Sequence, residues 1–330
     1  MRKGKIGIIA NPQSGRDIRR LVAHASVFDN EEKVNIVERM LSVFNELGLS
    51  SLYYMPDSYG IVEKASERLG KLNYDVNAVN MLLTHSEEDS TTAGNILQKI
   101  VDLIIVIGGD GTHRAVVKGL DLNDPVPIVG ISTGTNNVFP SMVEATTVAI
   151  ASYAFASGIV KKEDAAKREK IIKINWNDNE DIALIDVVFS NEKFVGSRAI
   201  WNPESLHAVF ASRAEPFNIG FSSLPGILAP SGRNDPFGSY IILGQSDKFV
   251  KFAIAPGKIV NISFTEFGHI YPGLPYKYSF NCGTIALDGE RKIEIFKSTE
   301  FLVSLVENGP YVLDINKTIK LATESGLFNL

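Results

Sequence analysis

The chain has 330 residues, of which 45% are apolar and 22% charged, the composition of an ordinary globular protein. Because one core rarely grows beyond about 250–300 residues, we expect two domains. The net charge of −5 gives no basic field for nucleic acid or an anionic membrane, and we expect neither as a partner. The single cysteine, Cys282, excludes an intramolecular disulfide. With no apolar run near the roughly 20 residues of a membrane span, a cytoplasmic protein is expected.

The first part of the chain alternates apolar runs with segments of helical spacing. Strands are predicted over residues 5–10, 51–54, 78–84, 102–107 and 126–130. Helices are predicted over residues 31–47, 61–69, 88–100, 112–120 and 142–156. This alternation predicts a parallel sheet with right-handed crossovers. The unbroken valine and isoleucine runs favour a sheet that is covered on both faces.

The pattern changes near the charged stretch at residues 161–170. Short alternating runs follow at residues 171–176, 182–190, 194–199, 239–243, 251–254, 258–265 and 291–296. Such runs, separated by turns, predict an all-β domain that is a sandwich of antiparallel strands. We therefore divide the chain into an α/β domain of residues 1–158 and a β-sandwich domain of residues 159–309. Helical spacing returns near residue 313, and we expect the tail of residues 310–330 to pack on the first domain.

A glycine-rich turn follows the clearest strand, in the sequence LIIVIGGDGT of Leu103–Thr112. Glycine lets a phosphate approach the backbone closely, and the helix that follows directs free N–H groups to the same place. We therefore expect these residues to bind phosphate: Gly108, Gly109, Gly111 and Thr112. Asp110 can hold Mg²⁺ directly or through water, or accept a hydroxyl proton. The alternative is a structural turn in which Asp110 caps the helix.

A second polar loop, Gly130–Pro140, follows the next strand. Its hydroxyl and amide groups suit a ribose, a base edge or phosphate oxygens. The residues that we expect to contact a nucleotide are Gly134, Thr135, Asn136 and Asn137. The alternative is a connecting loop whose polar side chains cap the next helix.

These residues resemble the NAD kinase-like superfamily, which includes diacylglycerol kinases, and within it the ATP-NAD kinase/AcoX group. The resemblance rests on Ile8–Arg20, Ala23–Phe28, Gly108–Val116 and Ser132–Pro140. It implies a Rossmann-like or phosphofructokinase-like first domain, a β-sandwich second domain that binds substrate, and a phosphotransferase that uses ATP or polyphosphate with Mg²⁺. It also implies that Asp110 is the catalytic base or metal organiser.

The resemblance extends to the second domain with one departure. A family turn of the form DG(E/Q) is matched at Leu287–Glu290, which makes Asp288 and Glu290 weaker substrate-binding candidates. Asp186 matches an acidic position of the NAD kinases, but Ile185 replaces the asparagine that precedes it in that family. An isoleucine cannot hydrogen-bond a dinucleotide.

Further candidates lie elsewhere in the chain. The loop after the first strand supplies Asn11, Ser14 and Arg16, which can border the same sheet edge and pair with a substrate anion. His113 is open to two interpretations, a phosphate ligand or a surface or capping residue. The polar loop Ser231–Asp235 can help to select an acceptor.

The sequence thus predicts an ATP-dependent kinase whose acceptor is the 2′-hydroxyl of NAD, which would form NADP. The alternatives are an AcoX-like kinase that acts on another small alcohol metabolite, and a non-catalytic nucleotide-binding sensor. The family resemblance also implies a homo-oligomer.

Overall fold

The computed structural model describes residues 4–15, 28–134, 136–192 and 203–329. Contacts group these residues into two compact units. The first unit contains the described residues up to Arg168 and those from Pro310 onward, and the second unit is Glu169–Gly309. Among the described helices, none combines the length and the apolar character that a membrane crossing requires.

The elements of the first unit up to Arg168 alternate as the sequence predicts. The strands are β1 (Lys5–Ala10), β2 (Ser51–Tyr54), β3 (Asp75–Ala78), β4 (Leu103–Gly108), β5 (Ile128–Ser132) and β6 (Ala166–Arg168). The helices are α1 (Asn30–Leu47), α2 (Ile61–Leu69), α3 (Glu88–Leu97), α4 (Asp110–Lys118), α5 (Ala145–Ala156) and α6 (Lys162–Ala165).

The second unit is built from antiparallel strands. Its strands begin with β7 (Ile171–Trp176), β8 (Asn179–Ala183), β9 (Asp186–Ser190), β10 (Leu206–Ala211), β11 (Gly238–Leu243) and β12 (Phe249–Ala255). They continue with β13 (Lys258–Ile270), β14 (Tyr276–Phe280), β15 (Gly283–Leu287), β16 (Glu290–Ile295) and β17 (Thr299–Val306). Helix α7 (Ser223–Leu228) follows β10, and a 3₁₀ turn covers Pro203–Ser205. The chain then returns to the first unit with β18 (Tyr311–Leu313) and α8 (Ile315–Glu324).

Within the described ranges, the sheet of the first unit has the order β3-β2-β1-β4-β5-β18-β6. Its strands are parallel except for the pairing of β18 with β6. Ile6 and Ile8 join the core that α1 and α5 cover, while Gly7 between them faces Leu97 of α3. Helices therefore cover both faces of the sheet, which explains the unbroken apolar strands.

The second unit has the predicted sandwich architecture. Its described strands form one sheet of order β12-β13-β11-β10-β9-β15-β16 and another of order β14-β17-β7-β8. Phe189 and Phe210 of the first sheet pack with Phe301 of the second in one apolar core. Leu224 of α7 packs on the opposite face of the larger sheet. The fold class predicted from the sequence, a parallel α/β sheet followed by a β-sandwich, is confirmed.

Several element boundaries differ from the predictions, and three of the differences have a clear physical reason. The third strand lies at Asp75–Ala78 instead of residues 78–84, because its residues pair with the four residues of β2. The strand predicted over residues 182–190 is divided into β8 and β9, which belong to different sheets. Helix α4 begins at Asp110 instead of Thr112, because Gly109 takes the extended N-cap conformation. The strand predicted at residues 194–199 lies outside the described residues.

The two chain segments that form the first unit pair with each other in its sheet. Strand β18 pairs with β5 on one side and with β6 on the other, and α8 packs against α5. The predicted domain division at residues 158–159 therefore precedes the division of contacts between Arg168 and Glu169, because α6 and β6 still belong to the first unit. The second unit is an insertion between β6 and β18.

Helices α3 and α4 approach closely at glycines. Thr91 Oγ1 donates a hydrogen bond of 2.9 Å to the carbonyl of Ala115. A Cβ atom on Gly94 would lie 2.8 Å from the Val116 carbonyl oxygen, and one on Gly119 would lie 2.0 Å from that of Thr91. This contact sets the position of α4, whose first turn carries the candidate aspartate.

We predict that Gly119→Ala lowers the free energy of unfolding by about 1–3 kcal/mol, because its methyl group overlaps the Thr91 carbonyl. Gly119 has ordinary helical dihedral angles, where alanine otherwise stabilises by about 0.4–1 kcal/mol. Urea denaturation measures the change, with Lys118→Ala at the exposed end of the same helix as the control. Equal or greater stability of Gly119→Ala would refute the close contact.

Candidate functional site

Three polar loops lie side by side in the first unit. They follow β1, β4 and β5, and comprise residues 11–15, Gly109 with the first turn of α4, and the described part of residues 133–140. Because these strands are parallel neighbours in the order β1-β4-β5, the loops emerge at the same edge of the sheet. In open α/β sheets this carboxyl edge is the usual place for ligands.

Hydrogen bonds join the loop after β1 to each of the other two. The Asn11 amide Nδ2 donates to Thr112 Oγ1 at 2.9 Å. The Thr133 hydroxyl donates to Ser14 Oγ at 3.2 Å. Asn11 thus contacts the glycine-rich turn and Ser14 contacts the loop after β5, while Arg16 lies outside the described residues.

The glycines of the central turn are required by close contacts. A Cβ atom on Gly108 would lie 2.6 Å from Thr112 Cβ, and one on Gly109 would lie 2.9 Å from Asn137 Oδ1. Gly111 and Thr112 occupy the first turn of α4, and their N–H groups make no hydrogen bond within the described residues. The positive end of a helix with unused N–H groups suits a phosphate.

The Asp110 carboxylate connects the start of α4 to the loop after β5. It accepts hydrogen bonds from the Phe139 N–H at 2.9 Å and from the Val138 N–H at 3.0 Å. The Asp110 N–H in turn donates to Asn137 Oδ1 at 3.3 Å. The side chain is half-buried and has a fixed orientation. Asp110 therefore positions the second loop, in addition to any role toward a ligand.

Many polar groups of the loop after β5 hydrogen-bond within the loop and to the end of β5. Asn137 Nδ2 donates to Ser132 Oγ at 2.7 Å, so both ends of this amide contact the protein. The Gly134 N–H donates to Ser132 Oγ at 3.3 Å. Asn136 is half-buried beside them, and Thr135 lies outside the described residues. Asn137 thus shapes the loop, and a nucleotide contact by Gly134 or Asn136 stays a prediction.

Lys33 is a site residue that the sequence analysis missed. It lies in the first turn of α1 with none of its surface exposed. Its ammonium donates to the carbonyls of Asn11 at 2.8 Å and Ser14 at 2.7 Å, and to Asn30 Oδ1 at 3.0 Å. A buried positive charge thus fixes the loop after β1. The available signal was a lysine in register with the apolar stripe of α1, four residues before Val37.

His113 does not face the candidate site. Its ring is fully buried and packs on Phe139, with the ring centroids 5.5 Å apart. Nδ1 lies 2.9 Å from the Gly109 carbonyl oxygen, so it carries the proton and donates. Burial lowers the pKa of His113 to about 4. The residue is a neutral support beneath the turn, which answers the question that the sequence left open.

The candidate acids of the second unit hold a backbone crossing. Asp288 opens the tight turn between β15 and β16 with φ of +52°, and its side chain is buried. Its carboxylate accepts hydrogen bonds from three consecutive N–H groups, those of Leu184 at 2.9 Å, Ile185 at 2.7 Å and Asp186 at 3.2 Å. These are the residues where the chain passes from β8 to β9, which explains the divided strand.

The remaining residues of this region differ in exposure. Asp186 is buried, and its carbonyl accepts a hydrogen bond of 2.9 Å from the Asp288 N–H. Glu290 is half-buried at the start of β16. Ile185 is 2% exposed. Substrate contact by Asp186, Asp288 or Glu290 stays a prediction, and the Asp288 carboxylate already has a structural task.

The three loops offer one carboxylate ligand for a magnesium ion. The described residues contain no group of three or more histidine, cysteine or acidic side chains that could hold a metal. Asp110 is the one acidic residue in the sequence of the three loops. Mg²⁺ commonly keeps several waters and binds through one or two carboxylates together with substrate phosphates. One carboxylate beside the glycine-rich turn is consistent with that type of site.

Comparison with known proteins identifies the family of this chain. The ATP-NAD kinase N-terminal domain model matches residues 6–158, and the acetoin catabolism protein X C-terminal domain model matches residues 170–308. Acetoin catabolism protein X of Cupriavidus necator is 35% identical over 325 residues, which cover 94% of this chain and 90% of that protein. This chain belongs to the acetoin catabolism protein X family. The resemblance predicted from the sequence is confirmed, and membership gives the chain a kinase-type fold.

Solved structures relate this acetoin catabolism protein X family member to kinases by fold. Yeast NADH kinase complexed with NADH aligns with 100% of this chain and 89% of its own, at 14% identity and a TM-score of 0.53. At this identity the likeness shows the fold alone. A diacylglycerol kinase from Bacillus anthracis aligns with 94% of this chain and 96% of its own, at 14% identity. Its TM-score of 0.42 supports no further argument.

We predict that Lys33→Met lowers the free energy of unfolding by about 1–3 kcal/mol, because the carbonyls of Asn11 and Ser14 lose a buried donor. Urea denaturation measures the loss. Lys71→Met, at an exposed lysine of the same unit, is the matched control and should leave stability unchanged. Equal stability of the two variants would contradict the assigned role of Lys33.

We predict that His113 makes the free energy of unfolding depend on pH. Its folded-state pKa of about 4 lies below its ordinary value of 6.5, so the unfolded chain takes up the proton first as pH falls. Its contribution to stability is thus complete above pH 6.5 and is lost as pH falls toward 4, by on the order of 3 kcal/mol.

Urea denaturation across this pH range should show a shallower loss for His113→Phe than for the native chain. His85→Asn replaces an exposed histidine with φ of +58° by a residue that tolerates that conformation. This control should keep the native slope. Identical slopes for the native chain and His113→Phe would show that another group causes the acid sensitivity.

Proposed function

We propose that this chain is an ATP-dependent kinase that transfers a phosphoryl group to a hydroxyl of a small molecule. The observation that carries the proposal is the arrangement at the carboxyl edge of the first sheet. There, the amides of Gly111 and Thr112 lie at the positive end of α4 beside the oriented carboxylate of Asp110. Phosphoryl transfer depends mainly on positioning and on neutralisation of charge, and this arrangement offers both.

In this proposal the central turn binds the phosphates of the donor. Gly108 and Gly109 let Thr112 and Asn137 pack closely on the backbone of the turn. The first turn of α4 then donates N–H groups to the phosphate oxygens. The loops on either side, with Asn11 and Ser14 on one and Gly134 and Asn136 on the other, hold the rest of the nucleotide or the acceptor. ATP is the proposed donor, with polyphosphate as the alternative that the family resemblance implies.

Asp110 is the proposed catalytic residue. Its carboxylate is oriented by the N–H groups of Val138 and Phe139, so it can accept the acceptor hydroxyl proton at a fixed place. Asp110 would also hold Mg²⁺, directly or through water, together with the donor phosphates. The ion would supply neutralisation of the phosphate charge.

The acceptor has two candidates. The 2′-hydroxyl of NAD is the first to test, because the fold is shared with yeast NADH kinase. A different small alcohol metabolite is favoured by the buried Ile185, which offers no hydrogen bond where NAD kinases carry an asparagine. A cytoplasmic location and a homo-oligomeric assembly are also parts of the proposal.

The test is turnover with ATP, Mg²⁺ and either NAD or a pool of small alcohols, measured as ADP release and as NADP formation. We predict that Asp110→Asn loses at least about a hundredfold in turnover, because an amide cannot accept the hydroxyl proton. Its affinity for ATP should stay within about tenfold, because the glycines and the N-terminal amides of α4 remain.

Asp75→Asn, at an exposed position of β3, is the matched control and should keep the native rate. Full activity of Asp110→Asn would remove Asp110 from the mechanism. ATP binding without ADP release from any acceptor would favour the nucleotide-binding sensor over the kinase.

A further inference from the structure

Strand β12 is an open edge of the larger sheet in the second unit. It lies at the end of the strand order and pairs with β13 alone among the described strands. Six of its seven residues, in the sequence FVKFAIA, are apolar, and Lys251 is the one charged residue. A long apolar edge with unpaired N–H and C=O groups is a template on which another strand can pair.

Most other sheet edges are shorter or more highly charged. In the first unit the edge strands β3 and β6 have four and three residues. In the second unit β8 has the sequence NEDIA, β16 has ERKIEI and β14 has YKYSF. Short length and charge are common means by which proteins prevent an edge from pairing. Among the edge strands of the described sheets, β12 is the longest and the most apolar.

The backbone of β12 directs alternate residues to its open side. In an antiparallel pair, every second residue bonds the neighbouring strand. The Phe264 N–H donates to the Lys248 carbonyl at 3.2 Å, so Lys248 and the even-numbered residues that follow it face β13. Phe249, Lys251 and Ala253 therefore direct their N–H and C=O groups away from β13.

One end of this open side is already occupied. The Gly220 N–H donates to the Ala253 carbonyl at 2.9 Å, which agrees with the alternation and closes the edge at that end. Within the described residues, Phe249 and Lys251 have no backbone partner on the open side. Phe249 is 61% exposed, and Lys251 is exposed beside it. The available edge is therefore the first half of β12.

This part of β12 is held in its extended form. Val250 and Phe252 belong to the apolar core on which α7 packs, and are 5% and 2% exposed. Just before the strand, Ser246 Oγ donates to the Phe264 carbonyl at 2.5 Å and accepts the Lys248 N–H at 3.1 Å. A partner strand would thus meet a preformed edge, which reduces the entropy cost of binding.

We propose that β12 pairs antiparallel with β12 of a second copy of this chain, so that the two larger sheets become continuous. A two-fold axis perpendicular to the sheet makes the two strands antiparallel and the interface self-complementary. The inference rests on the homo-oligomer that is part of the proposed function and assigns its interface. It is independent of the phosphoryl transfer itself.

The unpaired groups and the charges select the register. Pairs that need the Ala253 carbonyl are excluded because Gly220 occupies it. Lys251 opposite Lys251 would place like charges together, which is destabilising. The register that uses both open residues sets Phe249 of one copy opposite Lys251 of the other, and such a pair can exchange two hydrogen bonds. The exposed Asp247 is then a diagonal neighbour of Lys251 in the other copy, at roughly 7–8 Å, which long side chains can span.

The experiment measures the mass of the full chain by sedimentation over a range of protein concentrations. The native chain is expected to form a dimer. Lys251→Asp and Asp247→Lys each set like charges across the interface, and each should weaken dimerisation about tenfold or more. An equimolar mixture of these two variants brings opposite charges together again. The mixture should therefore form a heterodimer at least as tightly as the native chain forms its dimer.

A third variant, Lys251→Pro, tests the backbone contact. Proline removes an N–H that faces the open side, and edge strands tolerate proline at such positions because the ladder to the neighbouring strand is kept. Dimerisation should weaken about tenfold or more, because each copy loses a hydrogen bond to the other. Lys277→Asp, at an exposed position of the edge strand β14, is the matched control for charge reversal and should dimerise as the native chain does.

A native chain that stays monomeric at every concentration would overturn the proposal and leave the edge to a strand of another protein. A dimer of unchanged affinity in all three β12 variants would also overturn it, because another surface would then carry the association. Neither result requires turnover. A dimer without kinase activity would refute the proposed phosphoryl transfer alone, and an active monomeric kinase would refute this interface alone.

Discussion

The candidate site depends on the bonds that Asp110 makes to the loop after β5. Its carboxylate accepts the N–H groups of Val138 and Phe139, and its own N–H donates to Asn137. The loop after β5 is irregular, so its N–H groups find no partner in a strand ladder and need one elsewhere. The same side chain that the family resemblance assigns to chemistry therefore also holds the wall of its own site.

Charged side chains perform this task at several breaks in the fold. Lys33 donates to two carbonyls of the loop after β1, and Asp288 accepts three N–H groups where the chain changes sheets. In each case a buried or partly buried charge is hydrogen-bonded by backbone dipoles, which offset the desolvation cost of its burial. These residues look like active-site candidates in a sequence because charge in an apolar region is unusual. The structure shows that a charged residue in an apolar region can also have a purely structural role.

The sequence was sufficient for features that depend on local pattern. The bounds of β1, β2, α2 and β7 agree with the predictions. Apolar pattern defines these elements, and nearby glycine or proline marks the ends of the first three. The glycine-rich turn and its neighbouring loops were also predicted, since parallel strand order brings their ends together. The third strand was misplaced because its register is set by pairing with β2, which no local pattern reveals.

Features that depend on distant pairs were beyond the sequence. Asp288 lies 104 residues from Leu184, whose N–H it accepts, and Lys33 lies 22 residues from the Asn11 carbonyl that it contacts. His113 could be interpreted as a surface ligand or a support, because its neighbours Gly130 and Phe139 come from another strand and loop. Only the assembled sheet decides which of these polar groups face one another.

The position of β18 has a consequence for how the protein is made. This short strand lies between β5 and β6, so the sheet of the first unit remains incomplete until residues 311–313 have been translated. During synthesis the edge of β5 is exposed while the whole second unit is being produced, and unpaired strand edges favour association between chains. The sheet of the first unit can therefore close only after the whole second unit has been synthesised.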